Sequence, residues 1–390
     1  MTETAMELDD ELDTLSDEGV VLRLSTKKFS LQTLLEKAIA IVPTKDIMPV
    51  LKNFYVDAKA GSIRIAATDL ELSLVVTTDM VAVQVPGVAV FPAKRLLEIV
   101  KEAEEGDLLL EVKDGTAHIQ IGRTRWSIKL MDGSDYPSLP TLSKIKFHFI
   151  DRSKFLAAIS SVRYAAATDT VRPSLMMISI LSGRMRAADG VRFQQVVLED
   201  FPLDIQIPIN AVDDLVKILK TTETEQIEVG ETDSTIIFRV AADVFVAQKL
   251  MADFPNVDEI LLKPALTNDQ ELYVDRKELI AAIKRVRITA DPETSAVRLI
   301  LTKDNMRVTS KDKYGSHAEE ELDVKWDSGD REVAFNHSHL LDMLYMADVK
   351  TCKMLLGADT KTRPSPLRLV DADTGTDGIL NQVRLEWISS

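Results

Sequence analysis

Apolar residues recur at i, i+4 and i+7 in three separated segments: 27–40 (KKFSLQTLLEKAIA), 151–164 (DRSKFLAAISSVRY) and 275–288 (DRKELIAAIKRVRI). That spacing puts Leu31, Leu35 and Ala38, then Phe155, Ile159 and Val162, then Leu279, Ile283 and Val286, on one face of a helix each time. Corresponding positions are 124 residues apart in both intervals. Asp151 and Asp275 stand where an N-cap belongs, with Thr26 the nearest candidate in the first segment. After each helix, apolar and polar positions alternate around a central turn (50–77, 175–198, 296–323), which predicts antiparallel strands. A second short helix is expected at 93–103, 210–220 and 337–347, and further strands, such as 108–131 and 226–250, close each piece. The period is too long for a small-repeat solenoid. It predicts three tandem copies of one complete α+β domain, each with its own core.

Two stretches read as joints, 132–144 (DGSDYPSLPTLSK) and 251–270 (MADFPNVDEILLKPALTNDQ), each with an Asp-aromatic-Pro step after a strand-like run. The predicted division is a tail at 1–19 and domains at 20–144, 145–269 and 270–390. Residues 1–19 hold eight acidic residues and no lysine or arginine, which predicts a disordered tail. The only cysteine, Cys352, can form neither an internal disulfide nor a thiolate cluster, so the composition suits a reducing compartment. With an acidic N-terminus and no early apolar segment of spanning length, the expected location is the cytoplasm, away from membranes.

The formal net charge is −15, which argues against a protein that coats nucleic acid with its whole surface. The three first helices nevertheless sum to +7 over 42 residues, leaving −22 on the other 348. The second helices do not share the excess, and 337–347 has one Asp and neither Lys nor Arg. Such separation suits a protein that encloses an anion behind an acidic exterior. Candidate anion-facing residues are Lys27, Lys28, Arg152, Lys154, Arg163, Arg276, Lys277, Lys284, Arg285 and Arg287.

Catalytic chemistry is not apparent. His337 and His339 begin a predicted helix, where positions two apart diverge, and no third ligand accompanies them. The run DADTGTDG (371–378) has Gln382 where the closing glutamate of a calcium loop would fall. Cys352 has no sequence-suggested base, and Asp69, Asp189 and Asp312 read as a repeated turn residue rather than a one-domain catalyst. No metal, cofactor or catalytic residue is expected. A phosphoryl-transfer or nuclease reading lacks an acidic cluster.

Several segments carry a family likeness: MPVLKNF (48–54), ATDLEL (67–72), VFPAKRLLEIV (90–100), GRTRWSIKL (122–130), DYPSLP (135–140), VRPSLMM (171–177), AADGVRF (187–193) and DFPNVDE (253–259). Together with the three-domain period, they make the chain resemble the bacterial sliding clamps, the beta subunits of DNA polymerase III, over about 21–385. The resemblance implies three processivity-fold domains per subunit and a head-to-tail homodimer whose six domains ring duplex DNA without reading its sequence. The basic first helices would face DNA, with Lys45 and Arg172 matched to DNA-contacting or DNA-proximal family positions. The subunit contact would join Arg123, Arg125, Trp126 and Ile128 to Ile288, Glu319, Glu320 and Glu321.

The resemblance further implies a hydrophobic pocket for short peptides from the polymerase III catalytic subunit, the clamp loader and repair proteins. Residue by residue it would use Leu175, Ala188, Gly190, Val191, Arg192, Phe193, Pro255 and Ile260, with Arg172 and Pro366 at its margin. Asn381 and Gln382 replace the family's Met-Pro, followed by Val383, Arg384 and Leu385. Val191 stands where the family has histidine, and Glu259 where it has a basic residue. The alternative is a clamp-like accessory or decoy with a specialised partner set.

Overall fold

Three first helices, α1 (Lys28–Ala38), α3 (Arg152–Val162) and α5 (Arg276–Val286), and three second helices, α2 (Ala93–Glu102), α4 (Ile209–Lys220) and α6 (His337–Met346), follow the repeat. The computed structural model describes residues 19–45, 48–139, 142, 144–358, 364–371 and 375–384, and the side chains of 260 and 261 lie outside the description. Most of the predicted acidic tail (1–18), Asp373 and Leu385 therefore fall outside the described residues.

The Asp151 carboxylate accepts from Lys154 N (2.8 Å) and that of Asp275 from Lys277 N and Glu278 N (2.9 and 3.1 Å), as N-caps do. Thr26 does not cap α1, because its hydroxyl donates to Met80 O (2.7 Å) within the sheet. Lys27 holds the N-cap position with no side-chain bond.

The chain packs as two units, 1–149 with 221–248, and 150–220 with 249–390. The sheets explain the grouping. In the first unit an antiparallel five-stranded sheet runs Val81–Val85, Val20–Lys27, Asp107–Lys113, Thr116–Ile121, Thr124–Lys129. Beside it in sequence, an eight-stranded sheet takes four strands from the first repeat, and Leu72–Thr78 pairs directly with Asp243–Gln248 of the second. In the second unit another eight-stranded sheet is joined in the same way, Arg192–Val197 of the second repeat pairing with Thr376–Leu380 of the third. A four-stranded sheet, His317–Asp323, Asn305–Lys311, Ala296–Thr302, Arg331–Asn336, completes that unit. Main-chain ladders thus run through both repeat boundaries, and the second repeat contributes strands to each unit.

The third repeat has a continuous core in which Leu279, Ile283 and Val286 of α5 meet Leu340 and Leu344 of α6 and the fully buried Trp326 and Phe335. Alternation corrects one expectation about the first. Trp126 and Ile128 share a face of Thr124–Lys129, and that face is the core side: Ile128 is 2% exposed, opposite buried Ala117. It is a core residue of its own domain, not a free anchor. Ile128→Asp is expected to lower unfolding free energy by about 3 kcal/mol or more, through a lost apolar contact and a buried charge. Denaturant unfolding of both proteins would check this.

Candidate functional site

The first residue of each first helix has a role that charge counting missed. Lys28, Arg152 and Arg276 are 124 residues apart, and each reaches the C-terminal end of the second helix of its own repeat. Arg152 Nη1 donates to Leu219 O (2.9 Å) and Arg276 Nη1 to Leu344 O (3.4 Å). Lys28 Nζ binds Glu105 just beyond α2 (2.8 Å). A cation at these ends satisfies orphan carbonyls or follows the negative helix pole, so it ties the helix pair together. Lys28 is 6% exposed and is thereby removed from the anion-facing set. Arg152 and Arg276 are half-buried.

Other predicted cations also have internal partners. Arg163 makes a two-pronged pair with Asp213 of α4 (2.7 and 2.8 Å), which holds that carboxyl below its ordinary pKa. Arg285 pairs with Glu320 across to the four-stranded sheet, lowering the Glu320 pKa in the same way. Arg285 itself stays exposed, so this is a surface pair. Lys27 pairs with Asp107 (2.5 Å) but stays exposed. Arg172 is exposed and donates to Asp189 O (3.3 Å). Exposed Lys284 lies 5.2 Å from the ring centre of Tyr345. Lys45, Lys154, Lys277 and Arg287 are exposed with no ion pair among the described residues.

The predicted pocket residues partly converge, all within the second unit. Leu175, Ala188 and Phe193 form a buried apolar cluster with Ala167, Val257, Ala265 and Ile379, flanked by Met176, Phe254 and Leu262. Sequence matching found the strand residues. It missed most of the linker and Ile379, whose burial depends on the pairing of the second and third repeats.

At the rim, Asp189 Oδ1 accepts from Val191 N and Arg192 N (2.8 and 2.7 Å), building a tight turn. Gly190 has φ +91°, a left-handed conformation that favours glycine, and the Arg172 guanidinium lies close over it. Val191 is 40% exposed beside it. Arg192 does not project freely. Its guanidinium binds Asp189 (2.8 Å) and Asp342 of α6 (2.7 Å) and lies over the Tyr164 ring. It braces the strand against the third repeat, a tie for which the sequence offered no signal.

The C-terminal segment closes the same rim. Asn381 N and Nδ2 donate to Val191 O and Gly190 O (3.0 and 3.4 Å), Gln382 Nε2 to Ser365 O (2.6 Å), and Val383 N to Ala334 O (2.8 Å). The amides that replace Met-Pro are therefore held by backbone carbonyls. Pro366 is buried and accepts from Asn268 (2.7 Å), and Pro255 is half-buried. Glu259 pairs with Lys263, which offsets its charge at the rim. The Ile260 side chain lies outside the described residues.

Two open sheet edges complete the arrangement. Thr124–Lys129 and His317–Asp323 are terminal strands of their sheets. The Leu130 N to Gly115 O bond sets the alternation on the first, so the backbones of Arg125, Ser127 and Lys129 point outward. On the second, the Val324 N to Asp304 O bond does the same for Glu319, Glu321 and Asp323. Ile288 is 81% exposed just after α5.

Residues 22–140 match the DNA polymerase III beta subunit N-terminal domain and 265–377 its C-terminal domain. The chain belongs to the DNA polymerase III beta subunit family. A beta sliding clamp of Pseudomonas aeruginosa is 25% identical over 334 residues, 83% of this chain and 89% of that protein. The Escherichia coli K12 clamp is 23% identical over 320 residues, 79% of this chain and 86% of that one. A Caulobacter crescentus clamp structure superposes with a TM-score of 0.85 at 21% identity, covering 93% of this chain and all of that one. A Bartonella birtlesii clamp bound to griselimycin gives 0.85 at 24% identity, with the same coverage. The family function is that of a DNA sliding clamp, a processivity factor without a catalytic step. No described helix is long and apolar enough to cross a membrane.

One titrating group lies behind the rim. His339 on α6 has a buried Nδ1 with no hydrogen-bond partner among the described residues. Burial and then Arg192 lower its pKa from 6.5, against an opposing pull from Asp189 and Asp342. Its neutral form is favoured in the fold, so its stabilising contribution is full above pH 6.5 and is lost as pH falls below that value. The melting temperature should drop on acidification through this window, and His339→Gln should flatten the dependence. Thermal scans of both proteins between pH 5 and 8 would show an unchanged slope if the assignment were wrong.

Proposed function

We propose that two copies of this chain join head to tail into a ring that encloses duplex DNA and tethers client proteins through short peptides. The three sequence repeats, 20–144, 145–269 and 270–390, are the domains of that ring, six in the dimer, working in the cytoplasm. The observation that carries this reading is the pair of open edges. Arg125 and Lys129 stand outward on one, Glu319, Glu321 and Asp323 on the other, and opposite charges across a new antiparallel ladder are favourable. Pairing would also cover two edges that otherwise invite aggregation. Trp126, half-buried, and Ile288, largely exposed, supply apolar contact behind the ladder.

The DNA-facing set is narrower than composition suggested. Lys45, Lys154, Lys277, Lys284 and Arg287 are exposed cations without an ion pair among the described residues and support a loose track, to which the exposed Lys27, Arg172 and Arg285 can add. Phosphate attraction without base-reading groups centres the duplex and carries no sequence preference. Client peptides from polymerase, loader and repair proteins would place leucine or phenylalanine anchors over Leu175, Phe193 and Pro255.

Ile288→Glu should shift the dimer toward monomer in sedimentation without lowering monomer stability, because the residue is exposed. Lys154→Glu with Lys277→Glu should shorten residence on nicked circular DNA and reduce the salt dependence of direct binding by about 0.9 in slope per lost phosphate contact. A wild-type ring should persist on circles until they are cut. Equal release from linear and circular DNA by an intact dimer would contradict topological tethering.

A further inference from the structure

A groove adjoins the buried apolar cluster. It encloses about 370 Å³, at the low end of ligand-site volumes, between the strands Met177–Leu181 and Ile205–Pro208 and the linker 254–258. Phe254 and Val257 belong both to its wall and to the apolar cluster, so the two adjoin through the linker.

Its far side is an open sheet edge. Ile205–Pro208 is the terminal strand of the second eight-stranded sheet and pairs only with Met177–Leu181 among the described residues. The Ile209 N to Met176 O bond sets the alternation, so Ile205 and Ile207 bond inward and the N–H and C=O of Gln206 point outward. An outward donor and acceptor at a strand edge are what an added extended peptide uses.

The side chains specify the sign of the occupant. Ser179 and Arg186 follow Gln206 across the sheet, and Arg186 Nη1 binds Asp258 (3.1 Å) on the linker. Arg186 Nε and Asp258 Oδ1 are buried with no partner among the described residues. Asp204 is exposed at the mouth, its Oδ1 taken by Ser182 N (2.8 Å). With Arg186 offset by Asp258, Asp204 leaves the groove with an acidic excess.

We infer that this groove binds the basic, extended flank of the client peptide whose apolar anchors fill the adjoining pocket, the flank adding a strand along Gln206. The inference rests on the peptide-pocket reading above. It assigns client selection to a strand edge and Asp204, outside the C-terminal rim.

Calorimetric titration of the full-length dimer would test it, with a peptide of leucine and phenylalanine anchors alone and with four-residue Lys/Arg-rich or Glu-rich extensions at either end. The basic extension at one end should tighten binding about tenfold, the effect of one or two net hydrogen bonds. Gln206→Pro removes an N–H that the native ladder does not use, so it should abolish that gain and leave the anchor peptide unchanged. Asp204→Lys should transfer the preference to the Glu-rich peptide, and serves as the readout should the proline variant fold poorly. Equal binding of anchor and extended peptides, or a gain that survives both substitutions, would overturn the groove and leave the pocket standing. Failure of the anchor peptide to bind the wild type would overturn the pocket reading and the groove with it.

Discussion

Backbone ladders that cross the repeat boundaries are the constraint on which the rest of this molecule depends. Asp243–Gln248 against Leu72–Thr78, and Arg192–Val197 against Thr376–Leu380, convert three similar segments into continuous sheets. A ladder satisfies every second backbone group of a strand on each side, so wherever the series stops, a row of donors and acceptors is left. In the five- and four-stranded sheets it stops at Thr124–Lys129 and His317–Asp323, whose outward residues carry opposite charge. The proposed ring is the repetition of one type of contact once more between copies.

The basic helices illustrate how one residue type serves two purposes. Lys28, Arg152 and Arg276 hold helix pairs together at the same register in each repeat, while Lys154, Lys277 and Arg287 remain exposed. Net charge counts both groups alike, although only the exposed group can exchange counterions with a phosphate backbone. A clamp needs that moderation, since a duplex held by many close pairs would not slide.

Much of the fold was legible because its signals are local. Helix spacing and the caps at Asp151 and Asp275 were read from a few adjacent residues, and the 124-residue interval placed all three first helices. The cluster residues Leu175, Ala188 and Phe193 were legible through family likeness and do pack together. What could not be read depends on partners distant in sequence. The Arg192–Asp342 and Arg285–Glu320 pairs join different elements, and Ile379 reaches the pocket only through inter-repeat pairing. Ile128 is different, since parity with Trp126 indicated a shared face but not which side of the sheet was the core.

The central claim is that the two open edges pair with each other between copies. Hydrogen–deuterium exchange across a dilution series measures it at the atoms concerned. The amides of Arg125, Ser127, Lys129, Glu319, Glu321 and Asp323 should be protected in the dimer and become exchangeable together as it dissociates, while the inward amides of Trp126 and Glu320 change less. A stable dimer in which those outward amides exchange as freely as in the monomer would contradict the account.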